Sequence, residues 1–279
     1  MMKWHLVADS SCDLHALSPE DSAIGFETIP FHIHVGRRDY IDDAAIDVDA
    51  MLTDNEKSAE AAATACPGAQ QWADAFDRDG PVIAFTISSA LSGSYNSACA
   101  AREMILEEHP DRQIAVIDTK ATGPETVLII RRACQLIREG LAFDRVVSDL
   151  NDCAAKTHII FALSSYHNLI KAGRVNRLVG LVAGHLGFWG IGVGSDEGKI
   201  AMRGKARGEK GMIRFLVNEI KQTGLAGKAI VISHCLNEKA AQLLRNALLA
   251  AFGSVSVDIL PTRGLDSFYA ERNGLIVAY

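Results

Sequence analysis

The sequence predicts an α/β protein with largely parallel sheets, and three observations carry that expectation. Apolar runs of strand length alternate with helix-period patterns along most of the chain. Helix starts carry matching chemistry, as at Gly123-Pro124-Glu125, where proline sits near a first turn and an acid follows. The chain has 279 residues, 48% hydrophobic and 22% charged, enough for two ordinary domains with full cores. In order, strands are expected at residues 5–8 and 27–35, and a turn at Thr64-Ala65-Cys66-Pro67-Gly68 leads into a helix at 68–76. A strand at 82–87 hands over to a helix at 93–107, and a strand at 114–117 to helices at 125–139 and 143–155. These units place a domain boundary near residue 155, giving domains 1–155 and 156–279 with no Ser/Gly-rich linker between them.

The second half starts with a strand at 158–163 and then becomes less regular, with Gly173, Gly184, Gly187, Gly190, Gly192, Gly194 and Gly198 crowded together. Residues 189–194 and 199–203, joined through Ser195-Asp196-Glu197-Gly198, read as a hairpin. Helices at 209–222 and 239–251 alternate with strands at 229–233 and 255–259, and a last strand is expected at 275–278.

A formal charge of −6 leaves no basic footprint, which argues against a nucleic-acid partner. No run approaches the roughly 18 apolar residues of a membrane span, and the first residues do not resemble a signal peptide, so the protein is expected in the cytoplasm. The six cysteines are dispersed without metal-ligand spacing and are expected to be reduced; Cys99 and Cys134 read as core, while Cys12 and Cys66 lie beside polar motifs. His32 and His34 share one face of a strand and read as solvated rather than as metal ligands.

Four segments can carry chemistry. The first is Ser88-Ser89-Ala90-Leu91-Ser92-Gly93-Ser94-Tyr95-Asn96-Ser97-Ala98, where a buried strand meets a helix. The first amides of that helix lack internal partners and carry partial positive charge, so hydroxyls and small residues here suit a carboxylate or phosphate oxygen, or else a plain helix cap. The second is Asp9-Ser10-Ser11-Cys12-Asp13-Leu14 at the carboxyl end of the first strand, the edge where parallel α/β sheets bind ligands. Thr64 before its helix, and Arg174 in Lys171-Ala172-Gly173-Arg174-Val175, complete the set; the arginine could hold an anion or anchor a second domain. Ser92 could also be a nucleophile with His234 or His167 as base, although Leu91-Ser92-Gly93-Ser94 lacks the preceding glycine of a nucleophile elbow. Neither a dinucleotide-binding nor a phosphate-binding glycine loop is present.

Taken in order, these motifs resemble the DegV family of bacterial fatty-acid-binding proteins. The resemblance rests on Asp9-Ser10-Ser11, Ile29-Pro30, Thr64-x-x-Pro67, Ser88-Ser89-x-Leu91-Ser92-Gly93-Ser94-Tyr95 and Val116-Ile117-Asp118-Thr119. Lys171-Ala172-Gly173-Arg174-Val175, Asp196-Glu197-Gly198-Lys199 and Lys205-Ala206-Arg207-Gly208 extend it over nearly the whole chain. It implies two α/β domains, the amino-terminal one with a mainly parallel sheet and the carboxy-terminal one with a mixed sheet, enclosing a long-chain fatty acid in the cleft between them. The carboxylate is then held by Thr64, Ser92 and the Gly93 amide, with Arg174 at the polar end, and Asp9, Ser10, Ser11 and Ser94 lie behind them. It further implies a non-catalytic protein without cofactor or metal, which presents its acid to a separate ATP-dependent fatty acid kinase for conversion to acyl phosphate. The chain departs from the family in two places. Tyr269 stands where a histidine usually faces the head group, and the usual I-K-P element reads Phe188-Trp189-Gly190, so either the tunnel is altered there or the rings are core. A divergent member that binds no lipid and acts through protein contacts is the remaining alternative.

Overall fold

The computed structural model describes residues 3–175 and 187–279; Gly184 of the glycine-rich stretch lies outside them. Four strands, β1 (His5–Asp9), β2 (Gly25–Ile29), β6 (Val82–Thr86) and β7 (Ile114–Asp118), form a wholly parallel sheet in the order β2-β1-β6-β7. Both faces are covered. Leu6, Ala8, Ile83, Phe85 and Ile117 pack against helices α4 (Pro124–Arg138) and α5 (Phe143–Ala154). Val7, Val82 and Ala84 meet Trp72 and Phe76 of α2 (Ala69–Phe76) and Ala98 and Ala101 of α3 (Ser94–Glu108). Two-sided burial explains why these strands are continuous apolar runs rather than alternating ones.

The single strand expected at 27–35 is two. Pro30, which has no amide to give a ladder, ends β2, and the chain leaves the parallel sheet. β3 (His32–Val35) then pairs antiparallel with β4 (Arg38–Ile41) and β5 (Ala62–Ala65) in a separate three-stranded sheet. Helix α1 (Val48–Lys57), capped by Asp47 accepting from the Ala50 amide at 2.9 Å, lies within this insertion. His32 and His34 are on its outer face, each with Nδ1 near Asp39, at 3.3 and 3.1 Å.

The third sheet is mixed and six-stranded, in the order β10-β9-β8-β13-β11-β12. Its members are β8 (Ile159–Leu163), β9 (Phe188–Gly194), β10 (Ile200–Arg207), β11 (Ala229–His234), β12 (Ser256–Pro261) and β13 (Leu275–Ala278). Only β11 and β12 run parallel within it. The expected hairpin is present as β9 and β10, with its second strand reaching Arg207. On one face α7 (Gly208–Thr223) and α8 (Glu238–Phe252) bury Met212, Leu216, Leu244 and Leu248 against Ile160, Ile191 and Val277. On the other, Ile159, Phe161, Leu163 and Ile276 share a core with Ile33, Val35, Met51 and Leu52 of the three-stranded insertion. Residues 32–65 therefore pack on the carboxy-terminal sheet although they branch from the amino-terminal one. Two short helices, α6 (His167–Lys171) and α9 (Gly264–Ala270), close this side.

Candidate functional site

The loops after β1 and β6 meet at one buried carboxylate. Asp9 Oδ1 accepts from the Ser11 hydroxyl at 2.5 Å and its amide at 3.3 Å, while Oδ2 accepts from the Ile87 amide at 3.0 Å and the Ser94 hydroxyl at 2.6 Å. Burial pushes the Asp9 carboxyl above its ordinary range, and these donors pull against that. Ser10 Oγ accepts from the Phe31 amide at 2.9 Å, which pins the chain as it leaves β2. Asp9, Ser10, Ser11 and Ser94 thus tie strand ends and the start of α3 to one another.

The serine-rich junction divides its hydroxyls. Ser88 donates to the Gly198 carbonyl at 2.7 Å, fastening the hairpin turn, and Ser89 donates to Asp118. Ser92, whose Oγ accepts from the Ser94 amide at 3.3 Å, faces a cavity of about 160 Å³. Its wall includes Thr64 from β5, Ser92 and Gly93 from the junction, Arg174 after α6, and Tyr269 from α9. The five residues are separated by up to 205 positions in sequence and reach one opening from three different layers. Thr64 Oγ1 and the Tyr269 hydroxyl share a hydrogen bond of 2.8 Å. Arg174 Nε donates to the Leu91 carbonyl at 2.6 Å and Nη1 to the Ala172 carbonyl at 2.8 Å, so the guanidinium is steered by the segment that carries Ser92. Gly93 and Arg174 are exposed and Thr64, Ser92 and Tyr269 half-buried, which puts the hydroxyl groups at the cavity mouth.

Leu91, Thr122, Leu169, Ile200, Asp266 and Tyr269 also line a second cavity, of about 70 Å³. Its other walls include Ile159, Phe161 and Leu163 of β8 and Ile276 of β13, together with Lys120, Lys199 and Gly194. A polar opening therefore adjoins an apolar chamber on the inner face of the mixed sheet, with six residues in both walls. Trp189 packs on the opposite, helix-covered face of that sheet, as a core residue.

At the seam between the two cavities lies a group of which the sequence motifs name only Asp13, within Asp9-Ser10-Ser11-Cys12-Asp13-Leu14. Thr122 Oγ1 donates to Asp266 Oδ1 at 2.6 Å, and Asp13 Oδ1 accepts from the Arg263 amide at 2.8 Å. Among the described residues the remaining oxygens, Asp13 Oδ2 and Asp266 Oδ2, are buried without a well-formed hydrogen bond, although the Ser233 hydroxyl acts on Asp13 and holds its carboxyl lower than burial alone would. They meet over Gly123, where a Cβ would lie 2.4 Å from Asp266 Oδ2 and 2.8 Å from Asp13 Oδ2; its φ of +53° also suits glycine. Burial drives both carboxyls above their ordinary range; the charge of Asp13 adds to the rise at Asp266, and that of Asp42 to the rise at both. Asp42 caps α9, accepting from the Gly264 amide at 2.7 Å and the Leu265 amide at 2.8 Å, and buried Arg263 donates to its carbonyl at 2.8 Å. A signal for Asp266 did exist: an acid inside the apolar stretch Leu265 to Phe268, one helical turn before Tyr269.

His234 Nδ1 accepts from the Asn237 amide at 3.2 Å, and no histidine lines the Ser92 cavity among the described residues. All six cysteines are free thiols, and Cys66 lies in the cavity wall. Among the described residues no helix is long and apolar enough to cross a membrane.

A family model described as "Uncharacterised protein, DegV family" matches residues 3–273. The chain belongs to the DegV family. A DegV domain-containing protein of Streptococcus pneumoniae is 37% identical over 278 residues, covering 100% of this chain and 99% of the relative. Among solved structures, the Fatty Acid Kinase B3 protein of Streptococcus pneumoniae, loaded with linoleic acid, superposes with a TM-score of 0.96 at 37% identity, covering 100% of this chain and 99% of that one. A DegV family protein from Eubacterium eligens, loaded with heptadecanoic acid, gives 0.94 at 36% identity, with 99% and 98% covered. These DegV relatives share the architecture of a parallel amino-terminal sheet and a mixed carboxy-terminal one.

Proposed function

We propose that this DegV protein binds a long-chain fatty acid, with its carboxylate at the polar opening and its acyl chain in the apolar chamber. The observation that carries the reading is that two cavities share a wall, one lined by Thr64, Ser92, Gly93, Arg174 and Tyr269, the other with an almost wholly apolar surface. An ionised carboxylate is costly near apolar walls unless donors meet it, and two hydroxyls, a backbone amide and a guanidinium supply them. Each methylene buried contributes about 0.8 kcal/mol, so a chain of about sixteen carbons gives a gross gain on the order of 12 kcal/mol. Loss of translational and chain freedom leaves only part of that as affinity. The loaded relatives support the same ligand class.

In this reading the acid lies between an amino-terminal part, residues 1–155, and a carboxy-terminal part, residues 156–279. The exposed position of Arg174 and Gly93 at the mouth suits presentation of the carboxylate to a separate, cytoplasmic, ATP-dependent kinase that forms the acyl phosphate. The protein itself supplies substrate rather than catalysis. Mass spectrometry of an organic extract from freshly purified protein tests the ligand class: a stoichiometric long-chain acid is expected, and a different co-purified molecule refutes it. Formation of acyl phosphate from loaded protein, ATP and a fatty acid kinase catalytic subunit tests the presentation; release of free acid without phosphorylation refutes that part alone.

A further inference from the structure

On the cavity face of the mixed sheet, the stretch of β9 from Gly190 to Gly194 presents no side chain. Phe161 of β8 pairs with Gly192 of β9 and with Ile276 of β13, and Gly192 pairs with Met202 of β10. One row across the cavity side therefore reads Ile276, Phe161, Gly192, Met202, and with two-residue alternation Gly190 and Gly194 fall on the same side as Gly192. The alternate residues Trp189, Ile191 and Val193 pack on the helix-covered side. None of the three glycines has a left-handed φ, so the backbone does not demand glycine here. Space does. A Cβ on Gly192 would lie 2.3 Å from Phe161 Cζ, one on Gly190 2.5 Å from Tyr166 Cε2, and one on Gly194 2.7 Å from Ile159 Cγ2. Phe161 and Ile159 are also chamber walls. Their side chains lean onto the glycine strand and so recede from the chamber, which at about 70 Å³ is narrow enough for one ring to decide what enters.

We propose that the glycine row Gly190, Gly192 and Gly194 sets the bore of the apolar chamber, with Phe161 as the residue that determines which acyl chains fit. The inference rests on the fatty-acid reading above. Any side chain at position 192 turns the Phe161 ring toward the chamber and shortens the length of chain that can be buried. Each methylene denied burial weakens binding roughly three- to fourfold, so long acids suffer and short ones do not.

The test compares the affinities of saturated acids from ten to eighteen carbons, by displacement of a fluorescent acyl probe, in wild type and variants. Gly192→Ala and Phe161→Trp are expected to weaken octadecanoic acid by roughly tenfold or more while changing decanoic acid by less than about threefold. Adding Phe161→Ala to Gly192→Ala is expected to restore the long acid. Because the new Cβ would also lie 3.2 Å from the Ala201 carbonyl oxygen, Phe161→Trp, which leaves β9 untouched, carries the test should Gly192→Ala not fold. An unchanged length profile in the narrowed variants, or an equal loss at every length, overturns the inference and leaves the fatty-acid reading standing. Wild-type protein that binds no acid of any length overturns both.

Discussion

Replacing Asp266 with asparagine probes the buried carboxyl pair and yields a result opposite to that expected of most core substitutions. In the wild type, Asp13 Oδ2 and Asp266 Oδ2 both lie beside Gly123 without a well-formed hydrogen bond among the described residues, and a proton shared between them is the arrangement that the substitution tests. Both carboxyls are shifted upward, principally by burial and then by neighbouring acids. The unfolded chain releases its carboxyl protons near pH 4, whereas the folded pair keeps one well above that. Folding therefore takes up a proton in the window between, and the stability contributed at low pH is lost as pH rises through the folded pKa. Asparagine retains Oδ1 as acceptor for Thr122 and offers an amide N–H to Asp13 in place of the proton. That donor does not titrate. A hydrogen bond to a charged acceptor contributes about 2 kcal/mol, so at pH 8 Asp266→Asn should unfold at a urea concentration higher by roughly 0.7 M, taking a slope of about 3 kcal/mol/M. At pH 5 the two proteins should have similar midpoints. Urea titrations followed by circular dichroism from pH 5 to 8.5 measure the difference. A gap that does not change with pH, or a variant less stable than wild type at pH 8, refutes the shared proton.

Three further outcomes follow from the same geometry. Ser92→Ala should weaken binding of an eighteen-carbon acid roughly tenfold or more in a probe-displacement assay, the effect of one lost donor to a carboxylate, with the unfolding midpoint unchanged. Tyr269→Phe removes the 2.8 Å bond to Thr64 and should weaken the same acid by up to about tenfold, because the threonine hydroxyl is then less well aimed; equal affinity would remove Tyr269 from the head-group wall. Glu125, buried at the start of α4 beside Thr157 Oγ1 at 2.7 Å, is pushed up to about 7 by burial, from 4.5. Wild-type stability should fall between pH 4.5 and 7 relative to Glu125→Gln, by on the order of 3 kcal/mol, and calorimetry showing no such divergence would contradict the shift.

The parallel strands and the long helices are legible in the sequence because their burial is complete on one or both sides. Their boundaries shift by only a residue or two, as in the helix at 93–107, which spans Ser94–Glu108. The three-stranded insertion is not legible for the opposite reason. Its strand Arg38–Ile41 is mostly exposed and charged, and its helix Val48–Lys57 buries only Met51 and Leu52. Pro30 is the one sign that residues 27–35 are two strands in two sheets, and it is decisive once the ladder is considered. The short helices α6 and α9 escape a periodicity reading because five and seven residues make too few turns to show one.

The candidate site divides along the same line. Thr64, Ser92, Gly93, Arg174 and Tyr269 stand out by motif order, and Asp13 lies in the segment after the first strand, while Asp42, Thr122, Arg263 and Asp266 belong to no contiguous pattern. The second group becomes visible only when the turn before α4, the turn after β12 and the insertion converge on one buried point. That convergence gives the two groups different physical tasks. Hydroxyls at an opening can exchange water for a ligand oxygen with little reorganisation. The carboxyls behind it are almost fully buried, with Asp266 at the edge of both cavities, so their charge must be offset by amides, by Arg263 or by a proton. Because Asp266 and Tyr269 share one seven-residue helix whose amino-terminal amides are held by Asp42, the buried group fixes where the Tyr269 hydroxyl stands. Because Asp266 also lines both cavities, a change in these carboxyls should reach the mouth directly as well as through the placement of α9.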